Sequence, residues 1–568
     1  MGKNLDEESQ SSTCSGIDAE IRETAISSVH RIIENGSHGP PQEAESDTSK
    51  PAQVRWRDLP NKDQLFILSL CRLCEPLSNV CLLPYIFYLV RSALPPPSEE
   101  DSPDDAAARI SVYSGVLVAA FPLAQCFVSL PWGRLSDRYE RRYSIIGGLF
   151  ISVVSNIGFG FSTSFPALLF WRVLAGLANG NIGIMRTVTA EIVRERKYQT
   201  KAFLMLPLVF NSGMVASLAL GGCLADPVVN LAWLFGPQGL LNTSKNPDGV
   251  GWALEYPYAL PALLNAVILG IPLILAVMGL RETLPGREAC DDFGLRAGAV
   301  VARWARCYCV GRRLHRYAAI ENGEERVVED IQPGGEKQGY SGQNARRPGV
   351  SFHGIWTRKV MCALVSFGLL PFHNSAFMHI FPVYLSSPPA DNSESTLFVF
   401  SGGLGLRSAT IGLWLSTFGI GGILLQLFIY PRLQARIGTR GVFRIALFSF
   451  PITYAAAPYL SLLAGDHAAA RWVFLGFVVC AQIMARTMAI PSTVILLTES
   501  APSKTVLGTI HGAGTTLASL ARAAGPAIGG YVFALGVRNG VIGLVWWLYL
   551  VGIAVCALAW SYIMEGDN

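Results

Sequence analysis

The sequence predicts an all-α membrane protein: twelve transmembrane helices in two pseudo-symmetric six-helix halves. Three observations predict it. Hydrophobic residues fill 51% of the 568 positions, while Asp, Glu, Lys and Arg fill only 15%, against roughly 25% in soluble domains. Twelve separate runs are apolar over the ~20 residues that a helix needs to cross a bilayer. The second six runs then repeat landmarks of the first six. The same composition excludes a string of soluble domains, which would need far more charged surface. With a net charge of only +4 it also excludes a nucleic-acid-binding or disordered chain. The runs are continuous rather than alternating, which excludes a barrel.

In chain order, residues 1–64 are polar, rich in Ser, Glu, Gly and Pro, and read as a disordered tail. No cleavable signal peptide is apparent, so the first span serves as the insertion signal. The N-terminal half, 65–281, carries spans at 66–90, 110–131, 143–163, 165–189, 202–224 and 258–280. A polar segment follows at 282–354. In it Arg296, Arg303, Arg306, Arg312, Arg313 and Arg316 alternate with Val300, Val301, Trp304 and Tyr308, the pattern of a basic amphipathic helix on a membrane surface. The C-terminal half, 355–564, carries spans at 357–385, 408–430, 443–464, 472–497, 507–535 and 540–563.

Basic residues set the orientation. Arg134, Arg138, Arg141 and Arg142 follow span 2, and Arg194, Arg196, Lys197 and Lys201 follow span 4. Arg432, Arg436, Arg440 and Arg444 follow span 8, and Lys504 follows span 10. The opposite face has only Arg91, Arg109, Lys245, Arg407, Arg471 and Arg538. The first face is therefore read as cytosolic, with both termini on it. Asn242-Thr243-Ser244, on the other face, is a sequon open to glycosylation, whereas Asn35-Gly36-Ser37 should stay unmodified. Cys71, Cys81, Cys126, Cys362, Cys480 and Cys556 sit within spans and suggest no disulfide framework. Cys71 and Cys74 form a C-x-x-C that lacks a second ligand pair, so no metal site is expected.

The internal repeat points to mechanism. Glu191 and Gly221-Gly222 recur 308 positions later as Glu499 and Gly529-Gly530. Gly133-Arg134-Leu135-Ser136-Asp137-Arg138 after span 2 is echoed by Pro431-Arg432-Leu433-Gln434-Ala435-Arg436 after span 8. Duplicated membrane halves suit an alternating-access carrier with its site at the midplane between them. No nucleophile–base or metal constellation argues for an enzyme.

Charges inside spans cost at least about 2.5–3.5 kcal/mol each, so they face the interior and suggest function. Five are cations: Arg72, Arg172, Arg186, Arg486 and Arg522; Glu75 is the carboxylate placed well inside a span. The interior therefore looks net positive, which favours anionic or polar solutes. Arg72 and Glu75 are three apart and share a helix face. If they pair, the nearby cation makes Glu75 a weak proton carrier; if Arg72 reaches to the cytosol instead, Glu75 is left in a low-dielectric cavity suited to proton coupling, and a purely structural ion pair is the alternative. In span 7, Pro371 and Pro382 flank His373, Asn374 and His379. Prolines expose carbonyls to a cavity, which makes His373 and Asn374 substrate-contact candidates. His379 falls nearer the outer mouth, and His511 of span 11 is a further candidate.

Trp132-Gly133-Arg134-Leu135-Ser136-Asp137-Arg138-Tyr139-Glu140-Arg141-Arg142 resembles the signature loop between helices 2 and 3 of the major facilitator superfamily. In such a gate Gly133 starts a short loop, and Asp137 exchanges partners among Arg138, Arg141 and Arg142. Glu140 stands where that family usually has Gly. Arg172 with Gly176 and Gly180 resembles the family's helix 4 pattern, and its glycines four apart allow close helix approach. The resemblance implies a part in proton transfer for Arg172. Span 5 keeps Gly213, Gly221 and Gly222 of the antiporter signature, but Ser217-Leu218 replaces its Gly-Pro; span 11 has Gly525-Pro526-Ala527-Ile528-Gly529-Gly530 intact. Leu70-Cys71-Arg72-Leu73-Cys74-Glu75-Pro76-Leu77, Gly402-Gly403-Leu404-Gly405-Leu406 and Gly508-Thr509-Ile510-His511-Gly512 look like the twelve-span drug:proton antiporter branch. They are similar to fungal relatives of plant zinc-induced-facilitator carriers. The resemblance covers about 65–563 outside the central loop.

It implies a monomeric secondary transporter that exports a small organic solute (metabolite, drug or toxin) by alternating access. A proton gradient, and no cofactor, would drive it, in the plasma membrane or else the vacuolar membrane. The partners implied are the solute and the lipid bilayer, with no nucleic acid. Arg522 is expected to meet the Asp137 segment, because helices 2 and 11 meet in that fold. Alternatives are an importer or facilitator of a polar or anionic solute or metal chelate, and a non-transporting sensor on a carrier fold.

Overall fold

The computed structural model describes residues 59–96, 102–193, 195–283, 294–301, 303, 356–390, 396–463, 468–502 and 506–563. The tail, most of the central basic helix and the side chain of Asp137 lie outside them. Helix follows helix. In the first half these are α1 (Lys62–Ala93), α2 (Pro103–Arg138), α3 (Arg141–Gly160), α4 (Phe165–Ile192), α5 (Arg196–Leu224) and α6 (Ala259–Gly279). The second half has α7 (Arg358–Ser386), α8 (408–437), α9 (439–463), α10 (Ala468–Ser500), α11 (Leu507–Arg538) and α12 (Val545–Ile563). Among the described residues the one extended pairing is a single bridge, Pro389 to Gly402.

Among the described residues, ten runs are long and apolar enough to cross a membrane. Two sequence-predicted spans account for the difference from twelve. In α5 the apolar stretch is the shorter Leu208–Leu224. Spans 8 and 9 form one continuous 56-residue run, Ser408–Leu463. It is divided at Gly438, whose φ of 71° and ψ of 168° break the helix. A left-handed φ suits glycine, which has no Cβ to clash. The sequence places a loop here, but helical hydrogen bonds carry the backbone through most of it.

Local chemistry explains where helices begin. Ser102 caps α2, its hydroxyl accepting from the Asp105 amide at 3.1 Å. Pro103 opens that helix, and Asp104 and Asp105 complement the positive end of its dipole. Thr357 caps α7 in the same way, accepting from the Val360 amide at 3.3 Å.

The signature segment differs from its expected loop. Residues 133–138 are the last turns of α2, and the chain reverses only at Tyr139 and Glu140. Gly133 is helical, and a Cβ there would meet no atom within 4 Å, so it does not make a turn. Glu140 has φ −158° and ψ 139°, extended backbone open to any residue. Its carboxylate therefore replaces glycine without strain.

Two helix pairs make the most extensive contacts between the halves: α2 runs along α11, and α5 along α8. Glycines allow this approach on the end opposite the basic segments. A Cβ on Gly222 would stand 2.5 Å from the Ser408 carbonyl oxygen and 2.7 Å from Gly412 Cα. One on Gly115 would stand 2.6 Å from the Pro526 oxygen. Tyr88 donates to the Leu406 carbonyl at 2.7 Å, and Arg538 pairs with Asp105 at 3.2 Å. Toward the basic end, by contrast, Gly183 of α4 and Gly512 of α11 are exposed with no atom within 4 Å of a Cβ. The halves thus close on the end away from the basic segments.

Candidate functional site

The site begins at a break in α1. The helix is regular to Cys71, widens by one residue per turn over Pro76–Val80, and tightens at Leu83–Tyr85. Pro76 and Pro84 lack the N–H that regular helical bonding needs, and the irregular turns between them leave carbonyls open to other donors. Asn265 of α6 donates to the Leu77 carbonyl at 3.1 Å. Arg172 of α4 donates to the Ser78 carbonyl at 2.5 Å, to Asn79 Oδ1 at 2.9 Å and to the Leu117 carbonyl of α2 at 3.4 Å. It is 2% exposed and lies over the Phe121 ring at 5.1 Å. Arg172 therefore binds α1, α2 and α4 together behind the break.

Glu75 sits at the start of this break, its side chain 3% exposed, between two cations. Arg72 Nη1 is 2.5 Å from Oε2, and Arg522 Nη1 is 3.1 Å from Oε1. Of the two arrangements the sequence allows for Arg72, the structure has the ion pair. The second pair was not legible: it joins α1 to α11, across the halves. Arg522 lies roughly 22 Å along α11 from Leu507 at 1.5 Å per residue. It is therefore level with the α1 break, and Glu75 is its ionic partner in the structure. Ser519 Oγ accepts from its Nη2 at 3.1 Å.

Arg186, exposed on α4, acts on Glu75, Arg72 and Arg522 through space. His511 feels Arg186 and meets the Thr498 hydroxyl at 3.1 Å. One carboxylate and three guanidiniums thus share the seam between the halves.

The signature arginines act within their own half. Arg141 Nη1 pairs with Glu191 at 2.5 Å, and the same carboxylate accepts from the Thr283 hydroxyl at 2.7 Å. Arg142 Nη2 donates to the Val277 carbonyl at 2.6 Å, and its amide donates to Glu282 at 2.9 Å. They tie the start of α3 to the ends of α4 and α6. Arg138 is exposed.

In the second half, His373 is fully buried, with Nδ1 2.8 Å from the Tyr454 hydroxyl and the ring 4.7 Å from that of Phe450. Its Nε2 has no hydrogen-bond partner among the described residues. Asn374 accepts from Gln482 of α10 at 3.2 Å. Arg486, one turn further along α10, has both Nη atoms 3.4–3.5 Å from the sulfur of Met214 on α5. His379 meets Ser114 of α2 at 3.1 Å, again across the halves. Asn242 lies in the α5–α6 connection. Its amide nitrogen donates to the Pro237 and Asn246 carbonyls at 2.9 and 2.8 Å, so a glycan there would displace both bonds. Sequence reasoning passed over Asn79, Asn265, Tyr454 and Gln482. The signal available was a polar side chain within an apolar run.

The whole constellation is a polar seam between two helical bundles. Residues 69–388 match the Major Facilitator Superfamily. The chain is 32% identical over 518 residues to the Major facilitator superfamily multidrug transporter mfsB of Aspergillus fumigatus, covering 87% of this chain and 81% of that one. The chain belongs to the Major Facilitator Superfamily. Other superfamily relatives include Protein ZINC INDUCED FACILITATOR-LIKE 1 of Arabidopsis thaliana, 24% identical over 83% of this chain and 84% of that one. Efflux pump azaK of Aspergillus niger is 24% identical over 89% of each chain. Among solved structures, the xylose transporter XylE from E. coli, in a partially occluded inward open conformation, aligns with a TM-score of 0.55. That match is 11% identical and covers 89% of this chain and 98% of XylE.

 A likeness at that level shows the shared fold alone. The superfamily relatives are transporters, so this chain is a membrane transporter of small molecules and not an enzyme.

Proposed function

We propose that this transporter exports a small organic solute by alternating access, in exchange for protons. The observation that carries the reading is the Glu75–Arg522 ion pair at 3.1 Å, which links α1 to α11 across the seam. A carboxylate between two guanidiniums is a device for coupling. Protonation removes its charge, weakens its hold on Arg522 and so loosens one half from the other. Arg186, acting on the same group from α4, sharpens the competition between proton and cation. Arg172 keeps the broken α1 in shape while this happens.

The positive-inside rule places the basic end in the cytosol, with both termini there. The structure then corresponds to the state closed toward the outside. The signature arginines hold α3, α4 and α6 as one rigid unit, and Asp137 beside them serves as the gate residue. The efflux role named for the azaK relative supports export. One observation favours import instead: Ser217-Leu218 replaces the Gly-Pro of span 5, and α5 runs unbroken through it.

Inside-out vesicles with an acid lumen decide between them. A panel of fluorescent drugs is expected to yield at least one that accumulates and is released when an uncoupler collapses the gradient. Uptake driven only by an acid bath would identify an importer and overturn the reading.

A further inference from the structure

The cations of the seam are unevenly partnered. Arg72 and Arg522 are both committed to Glu75. Arg486 is not. Both of its Nη atoms face the Met214 thioether, at 3.4 and 3.5 Å, and no carboxylate or carbonyl oxygen among the described residues bonds to it. A thioether is a weak acceptor, and a guanidinium inside a membrane protein is costly unless a partner compensates its charge. Gln482 lies four residues earlier, on the same face of α10. It is fully buried, and its Oε1 has no hydrogen-bond partner among the described residues, although its Nε2 donates to Asn374 at 3.2 Å. On the facing half, Asn211 shares the α5 face of Met214 and reaches Gln426 of α8 at 3.2 Å. A guanidinium lacking an oxygen partner and a buried acceptor lacking a donor therefore sit one helical turn apart, about 5.4 Å.

We infer that Arg486 and Gln482 form a binding site for an organic acid, and that this is the class of solute the transporter moves. The cargo's carboxylate takes the two Nη donors of Arg486, displacing the sulfur. A hydroxyl of the same molecule donates to Gln482 Oε1. Met214 is left to pack on the body of the solute, and thioethers suit aromatic rings. Binding would span the halves, because Arg486 and Met214 belong to opposite ones. The inference rests on the transport reading for its biological meaning, but the site itself needs no proton gradient.

The test is equilibrium binding to the purified full-length protein, with 4-hydroxybenzoate and 4-hydroxycinnamate as probes. Their methyl esters lack the charge, and 4-methoxycinnamate lacks the hydroxyl donor. Both acids are expected to raise the melting temperature and both esters to leave it unchanged. Arg486→Gln should weaken acid binding at least about tenfold, the scale of a lost charge-assisted hydrogen bond, while Arg486→Lys should retain part of it. Gln482→Leu keeps the charge and should weaken 4-hydroxycinnamate but not 4-methoxycinnamate. Equal stabilisation by esters and acids, no binding of either acid at millimolar concentration, or unchanged binding in Arg486→Gln would each overturn the inference. If acids bind through Arg486 but no proton-driven flux is found, the site stands and the coupling fails. If flux persists but acids do not bind, the reverse holds.

Discussion

Glu75→Gln is expected to abolish proton-driven export while leaving the protein folded in the membrane. The carboxylate is the acid shared by Arg72 and Arg522, at 2.5 and 3.1 Å. An amide of the same shape cannot lose and regain a proton at neutral pH. It also cannot offset two guanidiniums, so both ion pairs weaken at once. Breaking a fully buried pair costs about 3–5 kcal/mol. Here the cost should be nearer ~2 kcal/mol, because the Arg522 side chain is 31% exposed and water screens it. The variant should therefore be recovered at near-normal levels by size-exclusion chromatography. Gradient-driven flux should fall at least about tenfold, and any residual flux should lose its dependence on pH. Retention of the wild-type pH profile would move the proton site elsewhere.

Gly412→Leu should be as damaging, for a different reason. A Cβ at this position already lies 2.6 Å from the Leu218 oxygen and 2.8 Å from Gly222 Cα, both backbone atoms that cannot swing aside. Overpacking of this kind costs about 1–3 kcal/mol. That cost falls on the state closed away from the basic end, since α5 and α8 meet there. A shift of ~1.4 kcal/mol changes a two-state equilibrium tenfold, so the carrier should stall with that end open. The expected result is a large loss of flux with normal surface abundance, and a milder loss for Gly412→Ala. Thiol labelling of a cysteine placed at Ser408 should rise in the Leu variant. Normal flux in Gly412→Leu would show that this contact does not form during transport.

Much of the fold was legible because each span is an uninterrupted apolar run. The basic segments mark one end by composition alone. What escaped were features set by backbone hydrogen bonding or by tertiary partners. Residues 133–138 look like a loop because they are polar, yet a helix leaving the membrane keeps its bonds and simply continues. Gly438 alone divides α8 from α9, where four arginines suggested a longer connection. Glu75 and Arg72 could be paired from their spacing, but Arg522, 447 positions away, could not. His373 stood out as a polar residue between prolines. Its actual surroundings, Tyr454 and Phe450, come from α9 and carry no local signal in α7. Arg172 was visible as an intramembrane cation, but its role as a clamp depends on the break in α1 that frees the Ser78 carbonyl.

Alternating access requires the closed end to open in every cycle. Asp105 and Arg538 mark that end: they are about half exposed and pair across the halves at 3.2 Å. Replacing both with cysteine and joining them with a short, reducible bifunctional thiol reagent tests the mechanism directly. Wild-type protein treated alongside controls for the exposed native thiols Cys480 and Cys556. The account predicts that flux stops when the two cysteines are joined and returns when the reagent is reduced. Undiminished flux through fully cross-linked protein would contradict it.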